Sequence, residues 1–188
     1  GRVCVRTDLQ NAEIPLRIES VAEVEWATTL SGEGATIHTV EHLLAAAHAL
    51  GIDDLRVEID GEEFPAADGS SLPYVELFDA AGVVESEGVL RPVTIRKPIW
   101  VGDGDKHLLA LPCDRFTVTY AVDYHHAVIG RQVLSLEVTP ESFRKELAAA
   151  RTFALVEWVD ALRRQGLAQG GSLANAVVVY SDHYSGEL

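Results

Sequence analysis

An Ala-rich run of helix-forming residues from Thr39 to Leu50, closed by Gly51, limits the fold more than any other part of the sequence. Such residues favour a helix, and a glycine just after the last turn is typical of a helix end. Alternating apolar and polar residues precede and follow this run, as in 3–5 and 55–59, and a period of two predicts strands. A chain that mixes single helices with short strands in this way is predicted to be α+β.

The rest of the chain continues the same mixture. Four successive strands are predicted at 93–101, 107–111, 116–122 and 133–138, and Asp103-Gly104 supplies a hairpin turn. Further helices are predicted at 73–81, 139–150 with Thr139 as N-cap, and 156–162, and a buried strand at 176–180. The pattern relaxes over 86–92, so we expect two layered halves, 1–88 and 89–188, each with helices packed against mostly antiparallel sheets.

Charge and apolar content restrict the partners of the protein. The 188 residues carry a formal net charge of −14, a field that repels nucleic acid and anionic membrane surfaces. No apolar run approaches the roughly 20 residues of a membrane span, and the chain does not open with a signal-peptide pattern. We therefore expect a soluble, cytoplasmic monomer that binds a small molecule, with no nucleic-acid partner and no stable membrane span.

The two cysteines, Cys4 and Cys113, lie far apart and belong to no CxxC pair. This spacing indicates neither a zinc ribbon nor a redox motif, and both thiols are expected to be buried. The chain begins at Gly1 and contains no Met, so we expect it to be part of a longer protein.

His38, Glu41 and His42 form an HxxEH pattern at the start of the predicted helix. Residues four apart share a helix face, so two imidazoles there could bind one zinc ion while the carboxylate acts as a base. The pattern is short, and histidines on an Ala-rich helix with no ligand role explain it equally well.

The surrounding residues distinguish these readings, because five segments match, in order, motifs of one bacterial family. They are 39–46 with 50–54 (TVEHLLAA…LGIDD), 63–70 (EFPAADGS), 124–126 (YHH), 150–153 (ARTF) and 166–178 (GL…GGSLANAVV). The chain resembles the UDP-3-O-acyl-N-acetylglucosamine deacetylases of lipid A biosynthesis.

The resemblance implies a zinc-dependent hydrolase that removes acetate from UDP-3-O-acyl-N-acetylglucosamine. It implies that His42 is a zinc ligand, that Glu41 is the general base, and that His38 is not a ligand. Thr152 would assist the developing oxyanion. Asp68 would either support the residues that bind the metal or stabilise only the turn in which it lies, and the sequence leaves both open.

The resemblance also implies a substrate-binding region. An insert at about 154–180 would carry the passage for the acyl chain, although an apolar stripe at helical spacing is also typical of a core. Tyr124 and His126 would lie near the sugar and the diphosphate. The residues implied for the acyl passage are Phe153, Val156, Val159, Ala168, Gly171, Ala176 and Val178.

The family takes two zinc ligands from an HKxxD motif that this sequence does not contain. A catalytic zinc needs three protein ligands, so we expect that the chain alone neither binds zinc tightly nor deacetylates the substrate. Two other functions stay open. One is an HxxEH metallopeptidase with Glu141 or Glu146 as a further ligand, and the other is a noncatalytic module that binds nucleotide-sugar or an acyl chain.

Overall fold

The computed structural model describes residues 1–89, 92–164 and 170–186, and within them the fold is α+β with mostly antiparallel sheets, as predicted. The first half contains β1 (Arg2–Arg6), β2 (Ala12–Pro15), β3 (Val21–Glu23), β4 (Thr29–Gly32), β5 (Ala35–Ile37), α1 (Glu41–Ala49), β6 (Leu55–Ile59) and α2 (Leu72–Ala81). The second half contains β7 (Ile99–Asp103), β8 (Lys106–Ala110), β9 (Thr117–Asp123), β10 (Arg131–Glu137), α3 (Pro140–Ser142), β11 (Phe153–Leu155), α4 (Val156–Arg164) and β12 (Val177–Val179).

Strand β1 is the centre of the first sheet. It pairs antiparallel with β2 and parallel with β6, while β3, β4 and β5 form a second, antiparallel sheet. The β4–β5 turn at Glu33-Gly34 has positive φ at both residues, +48° and +77°, which suits a tight hairpin and confirms the predicted turn. Both sheets contribute to one core with α1 and α2, whose buried members include Cys4, Ile14, Leu30, Ile37, Leu43, Ala46, Phe64, Val75 and Phe78.

The segment after β10 also reaches this core, through Phe143 and Ala148. Its start confirms the predicted N-cap, because the hydroxyl of Thr139 accepts the N–H of Ser142 and the Ser142 hydroxyl accepts the N–H of Thr139. The predicted extent to residue 150 is wrong. After α3 the chain forms a π-helical turn over Phe143–Leu147, in which the N–H of Ala148 donates to the carbonyl of Phe143, and it leaves the helix there.

Two antiparallel hairpins, β7–β8 and β9–β10, account for the four predicted strands. The first of these strands begins at Ile99 rather than at residue 93. Pro98 has no N–H to donate to a neighbouring strand, so regular pairing starts directly after it. Both hairpins expose large apolar side chains, among them Trp100, Leu108 and Tyr120.

The prediction for the two cysteines is half right. Cys4 lies on central strand β1 and is fully buried, whereas Cys113 lies in the connection between β8 and β9 and is exposed. Sequence spacing carries no information on this difference, because burial depends on which strand is central. Within the described ranges, none of the helices has both the length and the apolar character that crossing a membrane requires.

Candidate functional site

Helix α1 begins at Glu41, two residues later than predicted, and this changes the geometry of the HxxEH pattern. His38 lies before the helix, where its backbone pairs with the segment of Glu63, and Thr39 has φ +58°. The ring Nδ1 of His38 is hydrogen-bonded to the hydroxyl of Thr29 at 2.8 Å. The expectation that His38 and His42 share one helix face is therefore wrong.

The Glu41 carboxylate stands at the first turn of α1 and is half-buried. The backbone N–H of Thr28 donates to its Oε2 at 3.3 Å. Its charge also acts on Tyr74: burial raises the pKa of that phenol to about 12, and the negative charges of Glu41 and Glu63 add to the effect. His42, also half-buried, is the next residue of the helix, and neighbouring helical residues point in different directions.

Three of the matching motifs meet at a second place. The Asp68 carboxylate accepts both the N–H and the hydroxyl of Ser70, which holds the turn before α2. The N–H of Thr152 donates to the carbonyl of Gly69 at 2.8 Å, and the N–H of Val177 donates to the carbonyl of Thr152 at 3.0 Å. The backbone on both sides of Thr152 is therefore fixed, while its side chain is exposed.

Gly69 and Arg151 stabilise the junction at Thr152, where the three motifs meet. The sequence motifs alone assign neither residue a role. Gly69 has φ +87°, and a Cβ there would lie 2.1 Å from the carbonyl oxygen of Asn175. The Arg151 guanidinium donates to the carbonyls of Asp68 at 2.8 Å and Leu173 at 3.1 Å. Both residues lie inside motifs that match the family, 63–70 and 150–153. Only the fold reveals the contacts between those motifs.

Four aromatic side chains, here called the aromatic row, adjoin this junction: Trp26, Trp158, Tyr124 and Phe153. Ring centroids lie 5.7 Å apart for Trp26 and Trp158, 6.5 Å for Trp158 and Tyr124, and 5.7 Å for Tyr124 and Phe153. Tyr124 and Phe153 are predicted site residues, whereas Trp26 and Trp158 are not, and the fold places all four rings in one row. Trp158 shares α4 with two predicted positions and could have been inferred from that helix, but no pattern marks Trp26.

The other residues predicted for substrate binding have varied surroundings. His126 is half-buried after β9, and its Nδ1 accepts the N–H of Val128. Val156 and Val159 are half-buried on α4, as are Ala176 and Val178 at β12, whereas Gly171 is exposed. Strand β12 pairs parallel with β11, which aligns Val178 with Ala154. Ala168 lies outside the described residues.

Segment 26–28 links the two parts of the site. Trp26 is the member of the aromatic row that contacts Trp158, and the backbone N–H of Thr28 donates to the carboxylate of Glu41. Across the described ranges, no hydrogen bond or ring contact joins Glu41 or His42 directly to Thr152. Glu41 and the aromatic row are thus related through this connecting segment.

The donors for a metal ion are incomplete in this part of the chain. His42 offers an imidazole of the kind zinc prefers. Among residues 1–89, 92–164 and 170–186, however, no group of three or more His, Cys, Asp or Glu side chains could hold a metal ion. The described residues thus do not fit a complete zinc site, and no such group includes Glu141 or Glu146.

An apolar groove of about 390 Å³ lies elsewhere, between β6 and α2. Its walls include Leu55, Val57, Leu77 and Phe78, and none of the predicted site residues lines it. This groove is therefore separate from the residues that the motifs indicate.

Comparison with known proteins agrees with the order of the motifs. The model of the family described as UDP-3-O-acyl N-acetylglycosamine deacetylase (LpxC) matches residues 1–187. Three relatives are named UDP-3-O-acyl-N-acetylglucosamine deacetylase. They come from Leptospira biflexa serovar Patoc (43% identity over 94% of this chain and 59% of the relative), Myxococcus xanthus (44%, 95% and 57%) and Solibacter usitatus (45%, 97% and 61%).

The chain thus spans about 60% of the length of the curated relatives it matches. Within that span the family model covers all but the last residue, and the motifs around Glu41, Asp68 and Thr152 lie inside it. On this match, and on the α+β architecture, the chain belongs to the UDP-3-O-acyl N-acetylglycosamine deacetylase family.

Proposed function

We propose that the protein to which this chain belongs removes the N-acetyl group of UDP-3-O-acyl-N-acetylglucosamine, releasing acetate and the free amine, in lipid A biosynthesis. The observation that carries the proposal is the link between the two parts of the site. The segment that donates a hydrogen bond to Glu41 also carries Trp26 into the aromatic row beside Phe153. A carboxylate base and an apolar aromatic surface that contact the same segment suit a substrate with both an amide and an acyl chain.

In the proposed reaction, a water molecule attacks the acetyl carbonyl carbon and Glu41 accepts the proton that the water loses. The N–H donated by Thr28 keeps this carboxylate oriented, since a charged acceptor strengthens such a bond. The exposed hydroxyl of Thr152 donates to the oxyanion of the tetrahedral intermediate, and the fixed backbone on both sides limits its reorganisation. The C–N bond then breaks, acetate is released, and the leaving amine takes the proton that Glu41 accepted from the water.

We propose zinc as the cofactor of the whole protein, with His42 as one of its ligands. Bound zinc lowers the pKa of a coordinated water and polarises a carbonyl. Because the described donors are incomplete, we expect less than one tightly held zinc per 188-residue chain. A version completed to the length of the relatives should hold one. Elemental analysis after dialysis measures both, and one zinc per 188-residue chain would contradict the expectation.

Glu41→Gln tests the reaction in the completed version. Removing a general base should lower kcat by about 100-fold or more while leaving substrate affinity within about twofold. Acetate release measures the first quantity, and calorimetric titration measures the second. Glu62→Gln, which changes an exposed carboxylate nearby, is the control and should leave kcat unchanged. Full activity in Glu41→Gln would show that Glu41 is not the base.

A noncatalytic module is the second candidate for the 188-residue chain, favoured by the incomplete set of metal donors among its described residues. In that case the chain binds the acylated nucleotide sugar without releasing acetate. Family membership removes the support for a metallopeptidase, and incubation with a peptide should yield no cleavage.

A further inference from the structure

Trp26 is an unusual residue at its position. Its side chain is 54% exposed, although an indole is among the largest apolar groups that a protein can bury. It forms the outer end of the aromatic row, where its edge meets Trp158. A large apolar side chain that remains in solvent beside other aromatic rings is typical of a surface that binds an apolar ligand.

The backbone holds this indole in a conformation that few residues adopt. The N–H of Ala27 donates to the carbonyl of Glu25 at 2.8 Å, which closes a tight three-residue turn with Trp26 at its centre. Trp26 has φ +65°, in the left-handed region that suits glycine or asparagine. A bulky residue persists in such strain only where its surroundings impose it, and such positions cluster at functional sites.

The same segment continues to the base. Thr28, two residues after Trp26, donates its backbone N–H to Glu41. A ligand that covers the indole therefore contacts a segment that is itself hydrogen-bonded to the carboxylate. The apolar part of such a ligand and the part that reacts would thus contact neighbouring residues.

We propose that Trp26 contacts the acyl chain of the substrate and extends to its outer end the apolar surface formed by Trp158, Tyr124 and Phe153. This inference rests on the function proposed above, because it takes the acyl substrate from it. An acyl chain laid against Trp26 removes both apolar surfaces from water, which favours binding. The uridine diphosphate and the sugar gain nothing from this contact, so Trp26 discriminates acylated from unacylated ligands.

The test uses the 188-residue chain with two probes, UDP-3-O-myristoyl-N-acetylglucosamine and UDP-N-acetylglucosamine. Dissociation constants are measured by calorimetry, and the indole N–H signals of Trp26, Trp100 and Trp158 are followed by NMR. Trp26→Gly removes the ring and suits the positive φ, so the chain should still fold. Trp26→Phe keeps a smaller ring, and Trp100→Ala on β7 is the control.

We expect the myristoylated probe to shift the Trp26 and Trp158 signals and to leave that of Trp100 in place. Trp26→Gly should weaken its binding about tenfold, with a smaller loss in Trp26→Phe and none in Trp100→Ala. Affinity for UDP-N-acetylglucosamine should stay unchanged in all three variants.

Two results would overturn the role of Trp26 alone. In one, Trp26→Gly binds the myristoylated probe as tightly as the parent while the Trp158 signal still shifts. In the other, Trp26→Gly loses affinity for both probes equally, as a merely structural residue would. If the myristoylated probe shifts neither signal and binds no more tightly than UDP-N-acetylglucosamine, the proposed acyl substrate fails together with Trp26.

Discussion

Gly51 and Gly69 both adopt positive φ, +70° and +87°, but only Gly69 has neighbours where a side chain would lie. At Gly51, which ends α1, an added Cβ would meet no atom within 4 Å. At Gly69 it would collide with the backbone of Asn175 and approach Thr152. Gly51 is therefore needed only for its backbone conformation. Gly69 also allows its motif to contact the motif that contains Asn175.

Gly69→Ala is expected to lower the free energy of unfolding by about 3 kcal/mol, because left-handed strain and a backbone clash add together. Gly51→Ala is the matched control, and its strain alone should cost about 1 kcal/mol. Urea unfolding followed by circular dichroism measures both. Equal losses would mean that the contact with Asn175 is unimportant for stability.

The two thiols should also differ in reactivity. Burial raises the pKa of Cys4 to about 11, while Cys113 is exposed. Because the thiolate is the reactive form, a thiol reagent at pH 8 should modify one cysteine per native chain quickly and the second only in urea. Cys113→Ser should abolish the fast phase. A fast phase that survives in this variant would contradict the burial of Cys4.

Among the elements, the segment that follows β10 connects the second half of the chain to the core of the first half. The cap formed by Thr139 and Ser142 starts it, and the π-helical turn places Phe143 and Ala148 among the buried residues. Arg144, in the same turn, forms a two-point ion pair with Asp79 of α2. Both side chains are largely exposed, so the apolar contacts and the cap contribute most of the stability.

Thr139→Ala is expected to destabilise the protein by about 1 kcal/mol, because the N–H of Ser142 loses its acceptor. Thr139→Ser keeps the hydroxyl and should retain most of that stability. Thermal or urea unfolding distinguishes the variants. If serine and alanine cost the same amount, the hydroxyl does not act as the cap.

For the whole molecule, pH should act on stability through buried neutral acids. Cys4 and Tyr74 belong to the core cluster, and burial raises their pKa from 9.0 to about 11 and from 10.0 to about 12. A raised pKa in the folded state contributes stability that is fully present below the unfolded value. That stability is lost as pH rises through the folded value.

The free energy of unfolding should therefore fall between about pH 9 and pH 12, by on the order of 2 kcal/mol for each group. Cys4→Ala should remove the part of the decline that begins near pH 9, and Tyr74→Phe the part that begins near pH 10. Urea titrations at steps of pH measure this dependence. A decline of unchanged shape in both variants would assign it to other groups.

Strong local patterns allowed much of the fold to be predicted from the sequence. Strand β6, the turn at Glu33-Gly34 and the cap at Thr139 each depend on residues adjacent in the chain. The errors arise where distant contacts decide. His38 leaves the helix because its backbone pairs with the segment of Glu63, and Cys113 is exposed in the connection between β8 and β9.

By itself, the sequence determined the element types, the α+β class and, through ordered motifs, the family. Local patterning suffices for these because periodicity and turn chemistry act within a few residues. Only the tertiary structure decided that Gly69 and Arg151 lock the junction at Thr152, and that segment 26–28 joins the aromatic row to Glu41. Those contacts depend on residues brought together by packing, and linear spacing does not encode which distant side chains will meet.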